Sequence, residues 1–133
     1  MYEILVDLRK LRKMESLSKQ EEQAMRAVWL AGEGNLKLFL EQMDDPKPPY
    51  TTLASTIKNL EKKGYVDSLP VGKMYLYKAL ISVDEYMKKC MQGIVAEYFD
   101  NSYKQLILFF IKNKKLTAIE LKEILDEELR VVS

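Results

Sequence analysis

The chain has 133 residues, 47% hydrophobic and 31% charged, with 21 basic and 20 acidic residues, one cysteine and no histidine. That length holds one ordinary domain, or a small domain with a helical appendage. Without histidine, and with Cys90 as a lone thiol, the usual general base, metal ligand and thiol nucleophile are missing, so the composition argues against an enzyme.

No run approaches the ~20 apolar residues of a membrane span. Residues 1–7 are interrupted by acids and lack the basic-then-apolar order of a signal peptide. The expectation is a cytoplasmic protein that does not insert into a membrane, with Cys90 packed as a small apolar group. Gly32 and Gly34 read as a helix–helix turn, and Gly64 and Gly72 as a helix cap and a hairpin turn, so no phosphate-cradling loop exists. The acidic residues read as solvated helix faces. No cofactor and no metal are expected.

In residues 1–16, Ile4, Leu5, Leu8 and Leu11 alternate with Arg9, Lys10, Arg12 and Lys13. This reads as a basic amphipathic extension without assigned role, able to pack on a dimer, touch DNA backbone or lie on a membrane surface. Ser18-Lys19-Gln20-Glu21 matches a capping box and starts a helix reaching about Ala31, with Met25, Val28 and Trp29 on its apolar face. A second helix from Asn35 to Met43 carries Leu36, Phe39, Leu40 and Met43, and Asp44-Asp45-Pro46-Lys47 turns the chain.

The next segment is the most informative. Pro48 and Pro49 tolerate a helix start, Gly64 suits its end, and Leu53, Ile57 and Leu60 form one buried stripe. The opposite face carries Thr51, Thr52, Ser55, Lys58, Asn59 and Lys62, which are donors and cations without an acid. Such a face suits a DNA groove, where phosphates position a helix and base edges specify sequence. A solvated surface helix is the bland alternative.

The residues after this helix favour DNA. Residues 65–69 read as a strand, Pro70-Val71-Gly72-Lys73 as a turn and residues 74–77 as a second strand. Three helices and then a hairpin make a winged helix-turn-helix over residues 17–80. Residues 47–78 hold six basic groups (Lys47, Lys58, Lys62, Lys63, Lys73, Lys78) against Glu61 and Asp67, so positive charge gathers on the third helix and wing.

Residues 81–133 are different. Ser82-Val83-Asp84-Glu85 and Thr117-Ala118-Ile119-Glu120 match capping boxes, and Asp100-Asn101-Ser102 reads as a helix break. The three helices so defined carry Met87, Cys90, Met91, Ile94, Val95 and Tyr98, then Leu106, Ile107, Phe109, Phe110 and Ile111, then Leu121, Ile124, Leu125 and Leu129. So much apolar surface reads as a homodimerisation arm, with Met91, Ile94, Tyr98, Leu106, Ile107, Phe110, Ile124 and Leu125 at its interface. A folded-back monomeric bundle is the alternative. The fold class is thus mainly α with a small β-hairpin wing.

The run from Leu17 to Trp29, then Tyr50-Thr51-Thr52-Leu53, Leu60-Glu61-Lys62-Lys63-Gly64-Tyr65-Val66 and Tyr77, resembles the penicillinase-repressor family of BlaI, MecI and CopY type. The resemblance implies a dimeric transcriptional repressor on two-fold operator DNA, its C-terminal helices intertwined. It implies DNA contacts at Thr51, Thr52, Ala54, Ser55, Lys58 and Asn59, with Lys73 and Tyr75 of the wing on phosphates. Ser55 stands where the family often has threonine, and Asn59 where it often has arginine. The latter change favours adenine over guanine. In β-lactam-resistance members a membrane-bound metalloprotease sensor triggers cleavage in the arm, and the nearest counterpart here is the Ser102-Tyr103 bond. A plain helix break is the alternative there. Ala79 replaces a family proline after the second wing strand. Leu129 to Ser133 lack the cysteine cluster of the copper-responsive branch. Two other readings stand beside the repressor: a winged helix serving as a protein-interaction module, and a regulator holding a ligand near Met91, Tyr98 and Phe110.

Overall fold

The computed structural model describes residues 15–132, so all but the last two residues of the basic amphipathic extension lie outside the described residues. The chain divides into two compact units, the first ending at Lys89 and the second beginning at Cys90. The first holds α1 (Lys19–Ala31), β1 (Glu33–Gly34), α2 (Leu36–Gln42), α3 (Tyr50–Lys62), β2 (Val66–Val71), β3 (Met74–Ala79) and the opening turns of α4 (Val83–Tyr98). The second holds the rest of α4, α5 (Tyr103–Lys112) and α6 (Ala118–Val132). This is the expected winged-helix order followed by three helices.

Local chemistry sets the ends of these elements. Ser18 accepts from the Glu21 N–H while the Glu21 carboxylate accepts from the Ser18 N–H, a complete capping box. Thr117 and Glu120 repeat it before α6. The third box is incomplete: Ser82 Oγ accepts from the Glu85 N–H but gives its own proton to the Glu85 carboxylate. Gly64, at φ 83°, follows α3 in the left-handed conformation. Asp100 and Asn101, at φ 50° and 60°, make the break between α4 and α5.

The core of the first unit gathers Met25 and Val28 from α1, Phe39 from α2, the α3 stripe, Tyr65, Val66, Tyr77, Ile81 and Tyr86. The α3 stripe is wider than periodicity in apolar residues suggests, because Thr56 is buried with Leu53, Ile57 and Leu60. Its hydroxyl donates to the Thr52 carbonyl and accepts from Gln20 on α1, so burial leaves it satisfied. Trp29 is a packing residue, as expected, and its indole N–H donates to the Ile81 carbonyl.

Several expectations need correction. The wing turn is shorter than residues 70–73: β2 continues through Pro70 and Val71, and only Gly72 and Lys73 join the strands. The sheet order is β1-β3-β2, so β2 is an edge strand, where proline is tolerated. Ala79 ends β3, opposite Val66, rather than following it. Gly34 is not in a turn but pairs with Tyr77 through β1, a strand too short to announce itself by alternation. Cys90 is exposed rather than packed.

The acids are not all solvated. Glu21 is buried, and its carboxylate lies 2.8 Å from Lys63 Nζ. Burial pushes the Glu21 carboxyl up, but bonds from Lys63 and Ser18 outweigh it and hold it below its ordinary value. A lowered folded pKa makes this contribution full above the ordinary carboxylate range and lost as pH falls through the lowered value. Lys63 is the mirror case. The bond to Glu21 raises it, so its share is full below the ordinary lysine range and is lost at alkaline pH. Glu21→Gln should cost about 1.5–3 kcal/mol at neutral pH, as for a charged hydrogen bond. Urea midpoints of variant and wild type should converge as the pH drops below the carboxylate range. A gap independent of pH contradicts this assignment.

Candidate nucleic-acid interface

The α3 backbone places the polar face where the stripe does not reach. Thr51, Ser55, Lys58, Asn59 and Lys62 are exposed or half-buried, and Thr52 and Ala54 are half-buried beside them. Turning Leu53, Ile57 and Leu60 inward fixes that result, since residues on the other side of a 3.6-residue period must face out. The Ser55 hydroxyl donates to the Thr52 carbonyl at 3.1 Å, which leaves its lone pairs facing solvent. Among the described residues, Lys58, Lys62 and Lys73 have no ion pair. The one acid in the last turn of α3, Glu61, accepts from the Ser68 hydroxyl of the wing.

The positive field is smaller than the count of lysines suggests. Lys63 is engaged by Glu21, and Lys47 gives its ammonium to the carbonyls of Leu40, Glu41 and Met43 at the end of α2. Their partners lie in other elements or on the backbone, so the local run of charge overstated the field. Lys58, Lys62 and Lys73 remain on α3 and the wing tip, and Lys78 is exposed on β3. Lys73 sits in the exposed turn, and Tyr75 is exposed on β3 with its ring 6.4 Å from that of Tyr77. Arg26 is taken by Glu22 at 3.0 Å and adds nothing to this surface.

The penicillinase repressor model matches residues 17–128. The chain belongs to the penicillinase repressor family. The methicillin resistance regulatory protein MecI of Staphylococcus aureus is 23% identical over 111 residues, covering 81% of this chain and 89% of that protein. The penicillinase repressor of Bacillus licheniformis is 19% identical over 119 residues, covering 86% and 90%. The solved DNA-binding domain of the repressor BlaI is 20% identical and covers 56% of this chain and 92% of that domain, with a TM-score of 0.49. As a member of this family, the chain is a DNA-binding transcriptional repressor and not an enzyme.

In the second unit of the chain, Met91, Ile94, Tyr98, Phe110, Ile124 and Leu125 are exposed, and Leu106 and Ile107 are half-buried. Val95 is the one buried apolar residue of that unit among the described residues. Ser102 caps α5 by accepting from the Gln105 N–H, and Tyr103 begins the helix with an exposed ring. Among the described residues no helix is long and apolar enough to cross a membrane.

Proposed function

We propose that this repressor acts as a homodimer on a two-fold operator, with one α3 in the major groove at each half-site. The acid-free polar face of α3, backed by a fully buried stripe, is the observation that carries this reading. Thr51, Thr52, Ala54, Ser55, Lys58, Asn59 and Lys62 meet bases and phosphates, and Lys73 and Tyr75 of the wing meet the flanking backbone. Asn59 reads an adenine edge, to which an amide can bond twice. The division of labour is residues 17–80 for DNA and residues 81–133 for dimerisation, with Met91, Ile94, Tyr98, Leu106, Ile107, Phe110, Ile124 and Leu125 packing against a second copy. The protein works in the cytoplasm.

Relief of repression uses the same architecture. A membrane-bound metalloprotease sensor leads to cutting at the Ser102-Tyr103 bond, where two left-handed residues precede a half-buried helix cap and an exposed Tyr103. Removal of α5 and α6 then separates the dimer from its operator. Incubation with membranes holding the activated sensor should give a fragment ending at Ser102, read by mass spectrometry. Cutting elsewhere, or none, contradicts this step.

Lys58→Ala tests the interface itself. Loss of one phosphate contact per protomer should weaken operator binding uniformly across sequences and lower the salt slope by about 1 per protomer. Ser55→Ala should weaken binding without changing that slope, because a hydroxyl releases no counterion. Both side chains are exposed, so thermal melting should be unchanged. Full operator affinity in both variants contradicts the placement of α3.

A further inference from the structure

The opening turns of α4 are fastened to the winged helix by three separate groups. Trp29 of α1 donates its indole N–H to the Ile81 carbonyl, 2.9 Å away and two residues before the helix starts. Tyr86, buried on α4, donates its hydroxyl to Glu22 of α1 at 2.8 Å. Its ring centre lies 5.4 Å from that of Trp29 and 6.1 Å from that of Tyr65. One turn on, Lys89 Nζ donates to the Tyr65 hydroxyl at 2.9 Å and to the Glu15 carbonyl at 3.1 Å. Tyr65 is fully buried where α3 gives way to β2. None of these groups lies on the polar face of α3, and none belongs to the exposed apolar set of the second unit.

A flexible tether is enough to raise the effective concentration of a second DNA-binding unit. Fastening the helix that leads into the arm does something further, because it limits the directions in which that helix leaves the winged helix. In a dimer, that direction fixes how far apart two recognition helices sit, and so which half-site separation both can reach. We propose that Trp29, Tyr86 and Lys89 are positioning residues that make the repressor selective for one spacing of operator half-sites. This selectivity rests on the homodimer reading.

Inserting two base pairs between half-sites moves one of them about 7 Å along the duplex and roughly 70° around it. The test uses duplexes carrying the half-sites footprinted upstream of the repressor's own gene, at native spacing and with that insertion. Anisotropy gives the affinity ratio of the two, and sedimentation and melting follow assembly and folding. Wild type should lose about tenfold or more on insertion, within the usual span of coupling between sites. Lys89→Ala, and Tyr86→Phe, which keeps the ring contacts, should narrow that ratio to about twofold by freeing the helix exit. Dimerisation and affinity for a single half-site should stay as in wild type. Folded, dimeric variants with an unchanged ratio overturn the inference, as does a wild type indifferent to spacing. Lys89 is half-buried and lies outside the hydrophobic core, so Lys89→Ala carries the test if Tyr86→Phe melts early. A wild type that binds no upstream site above scrambled DNA fails differently, by removing the repressor reading on which the spacing selectivity stands.

Discussion

Phe110→Asp is expected to turn the repressor into a monomer and to weaken operator binding by about two orders of magnitude. The second unit explains why. No residue of α5 is buried, although its sequence is Tyr-Lys-Gln-Leu-Ile-Leu-Phe-Phe-Ile-Lys. Phe109 and Phe110 stand edge to face with ring centres 5.9 Å apart, and Phe99 lies 5.5 Å from Phe109, yet both α5 rings remain exposed. Three amphipathic helices with one buried aliphatic side chain among the described residues do not bury enough apolar surface to offset the entropy of ordering them. In the proposed homodimer a second copy supplies the missing cover. A carboxylate at Phe110 then enters that interface without a partner, and burying an unpaired charge costs several kcal/mol. Sedimentation should show one protomer, and anisotropy should show half-site affinity only. Tight binding by a monomeric Phe110→Asp protein contradicts the dimer reading.

Phe39→Ala should remove about 3–5 kcal/mol of stability, a large part of what a small domain possesses. Phe39 is fully buried on α2, and its ring centre lies 6.4 Å from that of Tyr77 on β3. It therefore joins the helix before α3 to the central strand of the wing sheet. Deleting it leaves a cavity between elements that cannot close without moving the wing relative to α3. The urea midpoint should fall sharply at neutral pH. Operator binding should fall with it at temperatures where the variant is partly unfolded, and recover on cooling toward 10–20 °C, roughly where domain stability peaks. A loss below about 1 kcal/mol contradicts this packing, since even removing one methylene from a core usually costs near that.

The parts of the fold written locally were legible in the sequence. Capping boxes at Ser18 and Thr117 placed α1 and α6, and Asp100 and Asn101 do make the break before α5. The stripe of Leu53, Ile57 and Leu60 oriented α3, and so its polar face. Thr56 shows where a purely apolar reading stops, because a hydroxyl that bonds its own helix and Gln20 packs like a core residue. It falls at i+3 from Leu53, so the spacing marked it even though its chemistry did not.

What escaped the sequence depends on partners distant along the chain. Glu21 and Lys63 meet across 42 positions, and no local pattern announces that a capping carboxylate also neutralises the lysine after α3. The same bond removes one cation from the field that a count of residues assigned to DNA. β1 has two residues and exists only because β3 offers it an edge at Lys78 and Tyr77. Pro70 read as a turn residue because its tolerance in β2 comes from the strand lying at the sheet edge, a fact of topology. Cys90 shares a helix with apolar neighbours, but its exposure depends on what covers α4.

Binding of the whole 133-residue chain to the DNA upstream of its own gene, measured by fluorescence anisotropy at several salt concentrations beside a scrambled fragment, tests the repressor reading most directly. The expected result is specific binding, two protomers per site and an affinity that falls steeply as salt rises. Equal, weak binding to both fragments contradicts it.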